Sequence, residues 1–271
     1  MPLLGRLARE CYSEPEDVYE VLKRRGMDLV TVTDHDSIDA VEPLRRFPDF
    51  FLSEEVTCQT PSGTLMHVGV YDITERDHVE IQRRRQDPFA LLAYLEEKRI
   101  YSSINHAFSG LTGRREESDF EFFEQRFPAI ETRNGQMLER ANRLALRWAG
   151  RVRKHSVGGS DAHTLAGLGR TYTEVAGART RQEFCRGLRR GFGRVHGEHG
   201  DGWKLMRAVL EIVGGTAREK PWTWWLAPVL VALPGVIAAN TLKEALFARR
   251  WGHVAVGTPL VTESEVWEIA S

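Results

Sequence analysis

Residues 26–40 read GMDLVTVTDHDSIDA, and within them Asp28–His35 is a short β-like run that ends on a carboxylate and an imidazole. A second run, Ser156–Asp161, closes in the same way within GGSDAHT at 158–164, where Asp161 and His163 stand at its end. Between and beyond them lie further strand candidates at Phe50–Cys58, Thr64–Tyr71, Tyr101–Ala107, Ala129–Asn134 and Arg170–Val175. Helical spacing of apolar residues occupies Glu16–Arg25, Pro88–Lys98, Ser118–Gln125, Gln136–Trp148 and Thr180–Arg190. Strands alternating with amphipathic helices predict an α/β architecture.

The strand candidates deliver metal-type ligands in succession: Asp34 and His35, then Glu55, His67, His106, Glu131 with Asn134, and finally Asp161 with His163. Core packing does not account for so many polar groups, because a buried charge without a partner is costly. In a closed α/β barrel the C-terminal strand ends converge on one face, where these side chains would form a polar cup. Neutral imidazole mixed with carboxylate suits zinc, manganese or iron, and bridging carboxylates suit multinuclear sites. Of the adjacent Glu54 and Glu55 only one can face the cup, since neighbouring strand residues point to opposite sides. Arg114 and Arg115, shortly after His106, offer guanidinium forks to a substrate phosphate. His78 and His155 read as surface residues, and His196 and His199 as part of a linker.

At 271 residues with 28% charged and 42% hydrophobic content, the chain is an ordinary globular one with room for a sizeable core. A net charge of -1 supplies no global field toward nucleic acid, and none is expected as a partner. Cys11, Cys58 and Cys185 are widely separated, which argues against a disulfide framework or a thiolate zinc site and for a reducing, cytoplasmic setting.

The motifs GMDLVTVTDHDSIDA, SEEVTC at 53–58, MHVGVY at 66–71, INHAFSG at 104–110, IETRNG at 130–135 and GGSDAHT together resemble the PHP (polymerase and histidinol phosphatase) superfamily of metal-dependent phosphoesterases. The resemblance covers about residues 10 to 190. It implies a distorted seven-stranded, TIM-like (β/α) barrel whose cup holds two or three divalent metal ions and hydrolyses phosphate esters. Carried over, it makes Glu55 the carboxylate bridging two metals, with His67 and His106 completing the second. Asp161 would serve the first metal, and His35 and His163 a third. Asp161, His163 and His35 are the residues expected to move or orient protons.

The family opens on a strand bearing His-x-His, and no histidine precedes His35 here. The expectation is therefore a barrel lacking its first strand, either because the reading begins downstream of the biological start or because this is a degraded copy. Met1–Gly5 shows no ligand-bearing alternation. The expected substrate is a small phosphorylated metabolite or nucleotide. Two alternatives stand beside it: a catalytically dead binding or membrane-associated module, and a related metal-dependent C–N hydrolase.

A division is expected near residue 195, with a PHP-like domain over 1–195 and a helical tail over 196–271, entered through the Gly-rich GFGRVHGEHGDG. Within the tail, residues 221–242 run without a charge between Lys220 and Lys243. As one helix they would reach roughly 33 Å, enough for a bilayer core of ~30 Å. Pro228 and Pro234 interrupt the run, so it predicts either membrane contact or a pair of short helices docked on the barrel.

Overall fold

The computed structural model of the chain describes residues 13–257. The expectation for Met1–Gly5, and Cys11, lie outside those residues. Five strands form one sheet in the order β1 (Ser53–Gln59), β2 (Leu65–Tyr71), β3 (Tyr101–Ile104), β4 (Ala129–Asn134) and β5 (His155–Gly159). β1 and β2 are an antiparallel hairpin in which Glu55 faces Gly69 and Thr57 faces His67. Its turn is closed by Thr60 N donating to Thr64 O, with Gly63 in the left-handed region at φ 82°. β2 and β3 are antiparallel, whereas β3, β4 and β5 are parallel. Their crossovers are helices, α5 (Glu117–Arg126) and α6 (Glu139–Val152), as parallel neighbours require.

Three further helices and a short turn complete the first half: α1 (Pro15–Arg24), α2 (Val41–Leu44), α3 (Glu75–Arg84) and α4 (Pro88–Glu97). The helix α3 is the one that apolar spacing misses, since Ile81 is its single buried residue. Its start is nevertheless written in the sequence, as Thr74 and Asp77 form a reciprocal capping box. The core lies between sheet and helices around Trp148, whose ring meets Phe108 and Phe120 edge-on at 5.7 and 5.5 Å.

The run expected as the first strand, Asp28–His35, is reduced to two parallel bridges, Val30 to Phe50 and His35 to Glu55. Four backbone hydrogen bonds hold it, Val30 N to Asp49 O and Phe51 N to Val30 O just before β1, and Glu55 N to Asp34 O and Asp36 N to Glu55 O on β1 itself. Beyond it the sheet does not close among the described residues. A cleft of about 1520 Å³ separates this segment from β5, lined on one side by Val30 and Val32 and on the other by Val157 and Val175. The fold is thus mixed α/β with an open five-stranded sheet, and the described residues do not complete the barrel that was expected to lack its first strand.

The predicted linker is also corrected. Residues Gly193–Gly197 form strand β7, paired antiparallel with β6 (Thr171–Val175) after the helix α7 (Arg181–Arg189). A boundary at 195 would cut this strand in two. His196 lies in β7, stacked on Tyr172 at 5.4 Å and paired with Glu174 at 2.8 Å, rather than in a solvated linker. The helical tail begins at α8 (Gly202–Glu219), continues through a 3-10 segment (Pro221–Ala232), and returns through α9 (Leu233–Arg250) to α10 (Gly252–Val256). Trp251 is buried and meets Phe120 at 5.3 Å, so the end of the tail belongs to the core.

The helix α1, which contributes Val18 and Leu22 to the cleft wall, is held to the body through Asp49. Its carboxylate accepts from Tyr19 Oη at 2.6 Å and from Lys23 Nζ. Burial would raise the Asp49 carboxyl, but the hydrogen bonds from Lys23 and Tyr19 outweigh it and hold the group below its ordinary value. A depressed carboxyl stabilises the fold above the ordinary carboxylate range, and that contribution is lost as pH falls through the folded value. Asp49→Asn is expected to lower stability by about 1 kcal/mol at neutral pH, after allowance for solvent screening. Urea unfolding of the two proteins should converge in acid, and a difference that persists there would remove the ion pair as the cause.

Candidate metal centre

Glu55 lies in the middle of β1 and is buried. Three imidazoles reach it from three separate segments. His35 Nε2, from the bridged segment, is 3.3 Å from Oε2; His67 Nδ1, from β2, is 3.8 Å from Oε1; His106 Nε2, after β3, is 3.4 Å from Oε1. Asn105 Nδ2 donates to Oε1 at 2.7 Å. His67 Nδ1 and His106 Nε2 are themselves 3.1 Å apart. His35, Glu55 and His67 also bring one ligand atom each within 4.8 Å of one another.

Two ring nitrogens and a carboxylate oxygen thus stand 3.1 to 3.8 Å from each other. In a tetrahedral site with bonds of about 2.0–2.1 Å, ligand atoms are spaced by about 3.3 Å. The donor set therefore fits a divalent cation in both chemistry and spacing. Electrostatics leave Glu55 ionised and His67 neutral for that use, while His106 would release a proton on binding. Burial would raise the Glu55 carboxyl, yet the hydrogen bond and charge of His106, with His67 and His35, hold it well below the usual range. Burial would lower His106, and Glu55 first, then Glu131 and Asp161, raise it instead. Burial lowers His67 to about 3, which keeps that ring neutral and its lone pair available.

A second line of polar groups connects this cluster to Asp161. The backbone N–H of His106 donates to Glu131 Oε2 at 2.9 Å, and Asn134 Nδ2 bridges Glu131 (3.1 Å to each oxygen) and Asp161 Oδ2 (3.0 Å). Burial, reinforced by Asp161 and Glu55 against the opposing effect of His106, pushes the Glu131 carboxyl up to about 7. Burial raises Asp161 as well. His163 follows on the loop after β5, with Nδ1 3.1 Å from the carbonyl oxygen of Asp161. His35, Glu55, Asp161 and His163 all line the open cleft, so the cup faces solvent through the gap in the sheet.

The backbone turns at these positions. Asp36, His106 and Asp161 have φ of 54°, 30° and 47°, a left-handed region unusual for residues other than glycine. His106 consequently sits in the loop beyond β3 rather than within the strand expected to run to Ala107, and the turn aims its ring back over β1. Such conformations cost of order 1–3 kcal/mol and persist only where neighbours over-determine them. The bond from His106 N to Glu131 and the bond from Asn134 to Asp161 do so here.

Glu54 points to the other face, fully buried, where Oε2 accepts from His78 Nδ1 at 2.7 Å and Gln82 Nε2 at 3.0 Å. His78 is accordingly a partner of a buried carboxylate, not the surface residue expected. Arg115 departs from expectation too. It is buried, donates to Leu65 O and to Thr112 Oγ1, and lies over the Phe123 ring at 5.4 Å, so its guanidinium is committed to the fold instead of a phosphate. Arg114 is exposed. The sequence expectation omits Asn105, and it counts Glu131 and Asn134 among the metal-type residues without giving them a place in the ligand set. The available signal was position, since Asn105 precedes a ligand histidine and Glu131 shares its strand with Asn134.

A family model described as PHP-associated matches residues 139–192. Among solved structures, PsfC from Pseudomonas syringae PB-5123 superposes with a TM-score of 0.56 at 18% identity, over 73% of this chain and 88% of that one. A proposed metal-dependent phosphoesterase from Bifidobacterium adolescentis gives 0.45 at 14% identity (67% and 92%). PfuEndoQ, a lesion-specific endonuclease from Pyrococcus furiosus, gives 0.48 at 15% identity (69% and 55%). No curated protein matches. The family match over residues 139–192 agrees with the resemblance read from the motifs, and the PsfC superposition shows a shared fold.

Glu55→Ala is expected to abolish metal retention at the cluster, read by elemental analysis of the dialysed protein. Asn105→Ala keeps every ligand and loses only the bond that orients Glu55, so affinity should fall by about 10–100-fold in calorimetric titration. Unchanged metal content in the first variant would refute the ligand assignment.

Proposed function

We propose that the chain is a metal-dependent hydrolase acting on a phosphate ester of a small metabolite or nucleotide. The observation that carries this reading is the convergence of Glu55, His67 and His106 at cation spacing, with Glu55 lining the solvent-open cleft. His67, His106 and Glu55 would hold one ion, and His35, Asp161 and His163 are the remaining candidate ligands. A divalent ion bound there supplies a water ionised near neutral pH and positive charge beside the phosphoryl oxygens.

The chain's own groups then have distinct tasks. Glu55 positions His67 and His106 and is itself oriented by Asn105. Glu131, near-neutral in titration and hydrogen-bonded to Asn134, adjoins Asp161 and gives that end of the cup a carboxyl able to hold a proton. Asp161 and His163, at the cleft wall, are placed to exchange a proton with a leaving alkoxide. The cleft admits substrate between the bridged segment and β5.

A second reading, hydrolysis of a C–N bond, uses the same ionised water, because carbonyl carbon accepts it as phosphorus does. A third is a binding module that holds metal without turnover. The purified chain should hydrolyse p-nitrophenyl phosphate with added manganese, zinc or iron, lose the activity to chelator and recover it on re-addition. His163→Ala should lower kcat by about 100-fold or more while the ion held by Glu55, His67 and His106 is retained. Metal binding without turnover of any phosphate ester would favour the binding module, and turnover of an amide alone would favour the C–N hydrolase.

A further inference from the structure

The hydrolytic reading leaves one large feature unused, the helical hairpin formed by α8, the 3-10 segment and α9. Gly202 at the start of α8 lies against α9, where a Cβ would stand 3.4 Å from Ile237 Cγ2 and 3.6 Å from Thr241 Oγ1. The 3-10 segment packs beside α8 as the chain returns. The returning arm has a single chemistry, since residues 221–242 contain no charge and include three tryptophans. Among its described side chains Ile237 is buried against Gly202, whereas Val231 is 84% exposed, Leu242 61%, Trp222 55% and Val236 48%. Contiguous apolar surface of this kind marks an interaction site.

Length and composition make Leu230–Arg250 the one helix among the described residues able to cross a bilayer. Its far end is not free to do so. Glu244 Oε2 accepts from Ser109 Oγ at 2.7 Å and Gly110 N at 3.0 Å, and Ala248 and Trp251 are buried in the α/β body. From Leu230 to Leu242 a helix covers only about 20 Å, short of a hydrocarbon core of ~30 Å. Moreover, α8 runs alongside with Arg207, Glu211, Arg218 and Glu219 exposed, followed by Lys220. End-on insertion would draw these ionic groups into hydrocarbon.

The geometry points to a different placement: we propose that the hairpin lies in the plane of an anionic membrane surface. The uncharged arm sinks into the interface while the ionic side chains of α8 stay among the headgroups, as in other in-plane amphipathic elements. Charge favours this partner. Residues 202–250 hold Lys204, Arg207, Arg218, Lys220, Lys243, Arg249 and Arg250 against Glu211, Glu219 and Glu244, on a chain whose net charge is -1. Basic groups beside an apolar face attract anionic lipid. The inference does not depend on catalysis, because the arm holds none of the cup residues.

The full chain should sediment with phosphatidylcholine vesicles containing phosphatidylglycerol, bind pure phosphatidylcholine more weakly, and be released by alkaline carbonate. Raised salt should weaken the anionic preference. Val231→Asp and Leu242→Asp, both at exposed positions, should each reduce partitioning by at least about tenfold. Their circular dichroism melts should match the parent, which separates lost binding from lost folding. Three results would overturn the proposal: no binding to either vesicle, retention through carbonate with protease-accessible sites on both sides, or an oligomer broken by the same substitutions in a chain that ignores vesicles.

Discussion

A single desolvated carboxylate, Glu55, organises this protein. It lies in the one strand of the main sheet flanked on both sides by ligand-bearing chain, the bridged segment of His35 on one side and β2 with His67 on the other. Burial opposes its charge, and the imidazoles of His35, His67 and His106 restore it. An ionised carboxylate in such a place is tolerable only with partners of this kind, so the positions of three other segments are tied to it. The pleat then creates a second demand. Glu54, on the reverse face, is fully buried as well, and α3 answers it with His78 and Gln82.

The same constraint explains where the backbone departs from regular structure. Asp36, His106 and Asp161 adopt left-handed conformations at the rim of the cup. Each is fixed by bonds that also serve the site. Asp36 N donates to Glu55 O, and its carboxylate accepts from Thr57 N and Arg85, which locks the bridged segment against β1. Glu131 captures the amide of His106, and Asn134 spans the distance to Asp161. Local strain of of order 1–3 kcal/mol per residue is thereby offset by hydrogen bonds to ionised or polar side chains. The cost of order in the loops is spent on aiming ligands.

The open side of the sheet and the tail share a different logic. The bridged segment keeps two backbone bonds to β1, both at Glu55, and two to Asp49 and Phe51 just before it, and no strand pairs it with β5 among the described residues. Access to the cup runs through that gap rather than over closed strand ends. At the other extremity, Glu244 ties α9 to Ser109 and Gly110, three and four residues after His106. The apolar arm is thus anchored to the loop that carries a ligand, and its exposure is a property of the anchored fold.

Much of this is written locally in the chain. The β-like run Ala129–Asn134 is β4 as observed, and the Thr74–Asp77 capping box and Asp87, which accepts from Phe89 N and Ala90 N, mark helix starts that follow from side-chain chemistry a few residues away. Period two likewise separates Glu54 from Glu55, and the residue types at strand ends declare metal chemistry before any contact is known. What the sequence by itself determined is therefore the kind of element and the kind of ligand. The structure alone decided the partners. Arg115 serves the fold because Leu65 O and Thr112 stand where its guanidinium reaches, and the half-buried His78 partners Glu54 because α3 folds back over it. A presumed linker became β7 because β6 offers it an edge. Those outcomes depend on which distant segments return to the same place, and periodicity, being local, carries no information about that return.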